Sequence, residues 1–318
     1  TAANWNTGSV PTSSDDVVIP NTSSINDCVL DGDRTINSLE IQGNGSFSMN
    51  DHDLTIAGEN SSGRALDIGN STVTFVGGTG TLIFTQGSGA TLLVGTQHIA
   101  ASTELRNLQF NGAATFVLGG AMTVNGNLTI TAGTLSTSSD NNYALTVTGN
   151  TVVTGTLTGN NSTLVFGTDG VSGSTEAGAL HVESSGSLTF GSGDLTAFSG
   201  FTAKGTNTVT STGGGDILIK GRTNNGFMNS HGHTGVNITG DYKILYDNNS
   251  LHDVRNNMAI TAANIIYSVS NRTYDFWTTS TDSTVTFTGN LQISNSTTTL
   301  NTQETGREPT QTFTVSGD

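Results

Sequence analysis

Short runs of alternating apolar and polar residues, each closed by Gly, Asn or Asp, recur along almost the whole chain. STVTFVGG, GTLIFTQG, LTITAG, ALTVTGN, STLVFG, DILIKG, GVNITG and STVTFTGN are examples. Such alternation marks a strand with one buried face. Thr and Val are β-branched and fit a pleated surface, while Asn and Gly tolerate the positive φ of tight corners. The best helix-like stretch, NMAITAANIIYS, also parses as two short strands. Strands this short bury little by themselves, so the fold must supply a shared interior.

The runs themselves repeat. INSLEIQGNGSFSMNDHDLTIAG, from Ile36, aligns with LRNLQFNGAATFVLGGAMTVNG, from Leu105. Ile36, Leu39, Ile41, Phe47 and Met49 fall on Leu105, Leu108, Phe110, Phe116 and Leu118 without a gap. Leu54, Ile56 and Gly58 then match Met122, Val124 and Gly126 after a one-residue slip. A looser copy continues through Leu128, Ile130, Leu135, Leu145 and Val147 to Gly149. The period is about 23 residues, a unit of three short strands without a helix. Such a unit can bury its apolar side if it forms one turn of a coil and pairs with the turns above and below.

The expected fold is therefore all-β, a parallel β-helix or β-solenoid with coils of about 23 residues. Ile36, Leu39, Ile41, Phe47, Leu105, Leu108, Phe110 and Phe116 are its expected core. Helical repeats lack the required pattern here, and the Leu spacing of leucine-rich repeats is missing. The rival is a sandwich of antiparallel modules, suggested by the hairpin-like pairs Asn111-Gly112 and Asn125-Gly126. Three regions are expected: an entry segment or cap over 1–34, regular coils over 35–200, and a less regular continuation with longer loops over 201–318. NNGFMNSHGHTG and YDNNSLHDVRNN read as loops leaving the coil.

Hydrophobic residues make up 33% of the chain and charged residues 11%. Disorder would pair low hydrophobicity with high charge and no periodicity, which is not this pattern. The net charge of −15 argues against nucleic acid and against docking on an anionic membrane. No stretch is apolar and long enough to predict a membrane-spanning helix, so no membrane insertion is expected. Cys28, the single cysteine, reads as a small buried hydrophobe. The chain opens at Thr1, which fits a product whose export signal has been removed.

The opening NWNTGSVPTSSDDVVIP, with Trp5, Gly8, Pro11, Asp15, Asp16, Val17 and Ile19, resembles the start of secreted prokaryotic β-solenoid surface proteins. The passenger repeats of autotransporter adhesins are of this kind. GNLTITAGTLSTSSDNNYALTVTGN, from Gly126 to Asn150, looks like the coil repeat of the same family. The resemblance implies export, a place at the cell surface, and a structural or adhesive role.

Candidate chemistry is sparse. Asp51 and Asp53 flank His52, and Asp31 with Asp33 precede Arg34. Carboxylates clustered on one coil face could serve glycoside chemistry or calcium. In NDHD and DGDR, however, Asp and Asn are turn formers, and turn chemistry is the favoured reading. His231 and His233, with His252 and Asp253, are the least implausible metal ligands, but a Gly-rich His-x-His loop is a weak signal. Motifs for a nucleophile elbow, a phosphate loop or a zinc helix are missing. Thr-x-Thr recurs as TVT, TIT and TLT, yet at no fixed position per repeat, so a regular array of the ice-binding kind is not expected. Asn21, Asn44, Asn70, Asn127, Asn237, Asn271 and Asn295 begin Asn-x-Ser/Thr sequons and are candidate glycosylation sites.

The expectation is an extracellular, non-enzymatic structural protein without a cofactor. It would be a subunit of a fibre, sheath, surface layer or adhesin stalk, with itself as partner. Trp5 near one end, and Phe313 and Val315 in the strand-like TQTFTVSGD, are the expected self-association residues. A polysaccharide-binding or adhesive module is the alternative, with a surface polysaccharide as partner, and a carbohydrate-active lyase or hydrolase comes third.

Overall fold

The structure, a computed structural model, describes residues 5–21, 28–68, 73–87, 91–94, 103–168, 180–183, 185–198, 201–203 and 208–219. From 220 onward it describes strand backbones only. Every strand pair with a determined register is parallel, and the chain is an all-β solenoid with coils about 23 residues apart. The antiparallel sandwich is thereby overturned. Asn111-Gly112 turns a corner between parallel strands, where Asn111 N–H donates to Phe84 O at 2.8 Å on the preceding coil.

Two compact units divide the chain, Thr1–Thr146 and Val147–Asp318. In the first, the first four coils each contribute a strand to each of three sheets. The main sheet runs through Asp16–Ile19, Ser38–Ile41, Arg64–Ile68, Thr91–Val94, Thr115–Leu118 and Thr134–Ser136. A second is built from Arg34–Ile36, Leu54–Ile56, Thr81–Phe84, Asn107–Phe110 and Leu128–Ile130. The third holds Cys28–Val29, Ser46–Ser48, Thr74–Val76 and Thr103–Glu104. Residues 16–36 thus already furnish one strand to each sheet.

Alternation explains why these segments are strands. In Asn107–Phe110 the burial pattern puts Leu108 and Phe110 inside and leaves Asn107 and Gln109 half-buried. The inward residues stack in ladders. Ile36, Ile56, Phe84, Phe110 and Ile130 follow one another in register, as do Leu54, Leu82, Leu108 and Leu128. Phe84, Phe110 and Phe116 form the aromatic centre, with ring centroids 5.2 Å apart for Phe84–Phe110 and 4.9 Å for Phe110–Phe116. All eight expected core residues are buried. Burying each phenyl ring contributes about 1.5–3 kcal/mol.

One expectation needs correction. The sequence alignment set Ile36 on Leu105 and Leu39 on Leu108. In the structure Ile36 shares its ladder with Phe110, and Leu39 shares its ladder with Leu66, Val94 and Leu118. Leu39 lies on the main sheet and Leu108 on the second. All three faces carry the same two-residue alternation, so a pattern match slipped by one face looks as good as the true register.

Corners absorb the unequal coil lengths. Along the ladder from Ile36 to Ile130 the steps are 20, 28, 26 and 20 residues. Close approach at the corners selects glycine. A Cβ on Gly112 would lie 2.0 Å from Gln86 O, and Gly133 combines φ +68° with a Cβ position 2.3 Å from Gly112 O.

The second unit repeats the scheme. One sheet contains Thr156–Thr158, Ser187–Phe190, Thr208–Ser211, Val236–Thr239 and Met258–Ile260. Another contains Leu164–Phe166, Leu195–Ala197, Ile217–Ile219, Lys243–Tyr246, Asn264–Tyr267 and Asn290–Ile293. NMAITAANIIYS supplies one strand to each, Met258–Ile260 and Asn264–Tyr267. The two segments read as loops also contain strands. Met228–Asn229 pairs with His252–Arg255, and the latter pairs with Thr273–Trp277. Backbone pairing between coils overrides the weak strand propensity of HDVR. His231 and His233 lie outside the described residues.

Candidate functional site

The acidic residues singled out in the sequence sit at corners, where Asp33, Asp51 and Asp53 tie coils together. Asn50 and Asp51 have φ of 48° and 66°, and His52 N–H donates to Met49 O at 3.0 Å, so NDHD is a turn. Asp51 and Asp53 therefore do not share the face of an extended strand. Asp51 Oδ1 accepts the Thr79 N–H at 2.7 Å and the Thr79 hydroxyl at 3.0 Å. These bonds, the backbone one foremost, hold its carboxyl below the usual carboxylate range.

Asp33 and Asp53 belong to a column at the start of the second sheet's strands. Asp33 Oδ1 accepts the Asp53 N–H at 3.0 Å, and Asp53 Oδ1 accepts the Thr81 N–H at 2.8 Å. Asn107 Oδ1 accepts the Asn127 N–H at 3.2 Å on the same column. Each side chain thus satisfies a backbone donor on the next coil. The second unit uses the same device, with Asp194 Oδ1 accepting the Asp216 N–H at 3.1 Å.

DGDR is closed by an ion pair between Arg34 and Asp31, which lowers the Asp31 pKa chiefly through the Arg34 hydrogen bond. His52 Nδ1 lies 3.7 Å from Asp33 Oδ1. Among the described residues, no three His, Cys, Asp or Glu side chains gather as an ion-holding group. Cys28 is half-buried rather than buried, because it stands on the first strand of its sheet. Burial pushes its thiol pKa up.

The self-association candidates are placed as follows. Trp5 is half-buried and its carbonyl accepts the Gly8 N–H at 2.9 Å. Phe313 and Val315 lie on Thr310–Val315, which pairs with Asp282–Phe287 in a two-stranded sheet. Of the sequon residues, Asn21, Asn44 and Asn127 are exposed, and Asn21 Oδ1 accepts the Asn44 N–H at 3.0 Å. Asn237 lies on Val236–Thr239, while Asn70, Asn271 and Asn295 fall outside the described residues.

Two polar groupings escaped the sequence reading. On the outer face of the main sheet Glu40 stands beside Asp67, Arg64 pairs with Asp67, and Gln42 Nε2 donates to Glu40 Oε1 at 2.6 Å. On Leu180–Val182 and the next residue, His181 Nε2 lies 3.0 Å from Glu183 Oε1. Their partners meet through strand register and an i, i+2 spacing, and only the second was visible locally.

A third arrangement, a column of single Thr residues, was not read from the sequence. In the second unit Thr158, Thr189, Thr210 and Thr239 occupy successive positions of one column. Two residues earlier, Thr156 lies opposite Ser187, and Thr208 opposite Asn237, with Leu188 on Val209 joining the two pairs into a second column. Thr156, Thr158, Ser187, Thr189 and Thr210 are half-buried, whereas Leu157, Leu188 and Val209 between them are fully buried, so the hydroxyls face outward. Thr-x-Thr itself keeps no fixed place, as expected: TIT falls at the strand Leu128–Ile130 of the second sheet, while TLT and TVT at Thr156–Thr158 and Thr208–Ser211 lie on this one with Ser187 and Thr189 between them.

Fold and surface together define a parallel β-solenoid with a packed interior, corner Asx ladders and outward Ser/Thr columns. Comparison with protein-family models found no match, nor did comparison with curated proteins or with solved structures.

Proposed function

We propose that the chain is an extracellular structural element, a subunit of a fibre, sheath, surface layer or adhesin stalk, that associates with further copies through the ends of its solenoid. One observation carries the reading. Among the described residues, Asp16–Ile19, Cys28–Val29 and Arg34–Ile36 are the terminal members of three parallel sheets, so their coil presents three strand edges to one side. Unpaired N–H and C=O groups on such edges template another chain. Val18 and Val29, 46% and 51% exposed, stand on two of these strands without a lysine beside them. Thr310–Val315, with Phe313 and Val315, ends a sheet of its own and offers the complementary edge. A contact between unlike edges is heterologous and propagates into a filament unless its rotation closes a ring.

Light scattering and electron microscopy on the purified chain test this. Concentration-dependent filaments are expected. They should shorten or vanish in Val18→Lys/Val29→Lys, whose substituted side chains point outward, and on deletion of residues 310–318. A strictly monomeric chain across salt and concentration refutes the proposal.

A further inference from the structure

We propose that the outer face of the second unit's Ser/Thr sheet binds the ordered water lattice of ice. The face is a two-dimensional array. Its outward side chains are Thr158, Thr189 and Thr210 in one column and Thr156 and Ser187 in the other, and the strand register continues these columns to Thr239 and to Thr208 and Asn237. Strand geometry fixes both repeats of this array at about 4.8 Å from coil to coil and about 6.7 Å along a strand. A prism face of ice presents oxygens on a rectangular net whose two repeats have the same scale. A Thr side chain offers a hydroxyl that both donates and accepts, and a methyl group that carries little bound water. Its β-branch restricts χ1, so little side-chain entropy remains to be lost on binding.

Charge separates this face from the outer face of the first unit's opening coils. None of the eight array positions is charged, in a chain with 25 acidic residues. The outer face of the main sheet in the first unit, by contrast, carries Glu40, Arg64 and Asp67. A charged group would hold a hydration shell incompatible with the lattice. A polysaccharide would call for aromatic rings to stack sugars, and the array positions hold none. A protein partner would call for large apolar or Arg anchors, also missing from them. A neutral, repeating, hydroxyl-bearing lattice matches a ligand that is itself neutral and periodic.

The full chain is tested for thermal hysteresis, for shaping of single ice crystals, and for enrichment in slowly grown ice. Wild-type protein should be enriched and should hold crystal growth below the melting point. Thr189→Lys and Thr210→Lys, each an outward substitution checked by its melting curve, should lose both effects. Thr55→Lys, outward on the second sheet of the first unit, should retain them, as should Val18→Lys/Val29→Lys, which separates this inference from assembly. If Thr189→Lys does not fold, Thr210→Lys and Thr158→Lys decide. Exclusion of wild-type protein from ice overturns the proposal, as does full enrichment of a folded Thr189→Lys. Thr189-dependent binding to insoluble cellulose or chitin without ice activity overturns it too, in favour of a polysaccharide surface.

Discussion

Truncating Phe110 to Ala tests the ladder register directly. Phe110 is fully buried, follows Phe84 and precedes Ile130 in its ladder, and touches the rings of Phe84 and Phe116. A buried Phe→Ala change costs about 3–5 kcal/mol from lost transfer energy and the cavity left behind. Two lost ring contacts, each worth about 0.5–1.5 kcal/mol, place Phe110→Ala in the upper part of that range. Urea unfolding followed by circular dichroism gives the free-energy change. Gln109→Ala, on the neighbouring outward position, should stay within about 0.5 kcal/mol. A double-mutant cycle then reads the register. Phe84→Ala with Phe110→Ala should couple by about 0.5–1.5 kcal/mol. Ile41, which the sequence alignment equates with Phe110, lies on the main sheet two coils earlier and should add to Phe110→Ala within about 0.5 kcal/mol. A cost near 1 kcal/mol for Phe110→Ala, or strict additivity with Phe84, would refute the stacking argument.

Asp15, Asp31 and Asp51 have folded pKa values lowered by Thr12, Arg34 and Thr79 respectively. Their contribution is complete above the ordinary Asp value of about 3.9 and is lost as pH falls through the lowered values. Melting temperature should therefore drop in acid, less steeply in Asp51→Asn, and a flat profile down to pH ~2 would contradict this. Gly133→Ala, at φ +68° with Gly112 O in the way, should destabilise by more than about 1 kcal/mol in urea. Gly87→Ala, with open space around its Cβ, should instead be neutral or stabilising by up to about 1 kcal/mol. Cys28 should label with a thiol reagent only at higher pH than a free thiol does, because burial raises its pKa, and a labelling midpoint at or below that of a free thiol would count against the half-buried placement.

What the sequence by itself determined is local. Alternation over a few residues tells which side chains face inward, so Ile36, Leu39, Phe110 and Phe116 were legible as core. Corner chemistry was legible too, since Asn50, Asp51 and Gly133 adopt the positive φ that their residue types favour. Period and parallel stacking followed from units too small to bury themselves. What only the tertiary structure decided is which residue lies above which. Ile36 over Phe110's ladder, Asp33 on the Asp53 N–H, Glu40 beside Asp67 and the Thr158–Thr189–Thr210 column all depend on how many residues each corner consumes. That length is not fixed by the alternation, and three faces with the same pattern leave a slip of one face without any cost visible in sequence. His252–Arg255 shows the same limit in another form, because its strand exists through pairing with coils on either side rather than through its own residues.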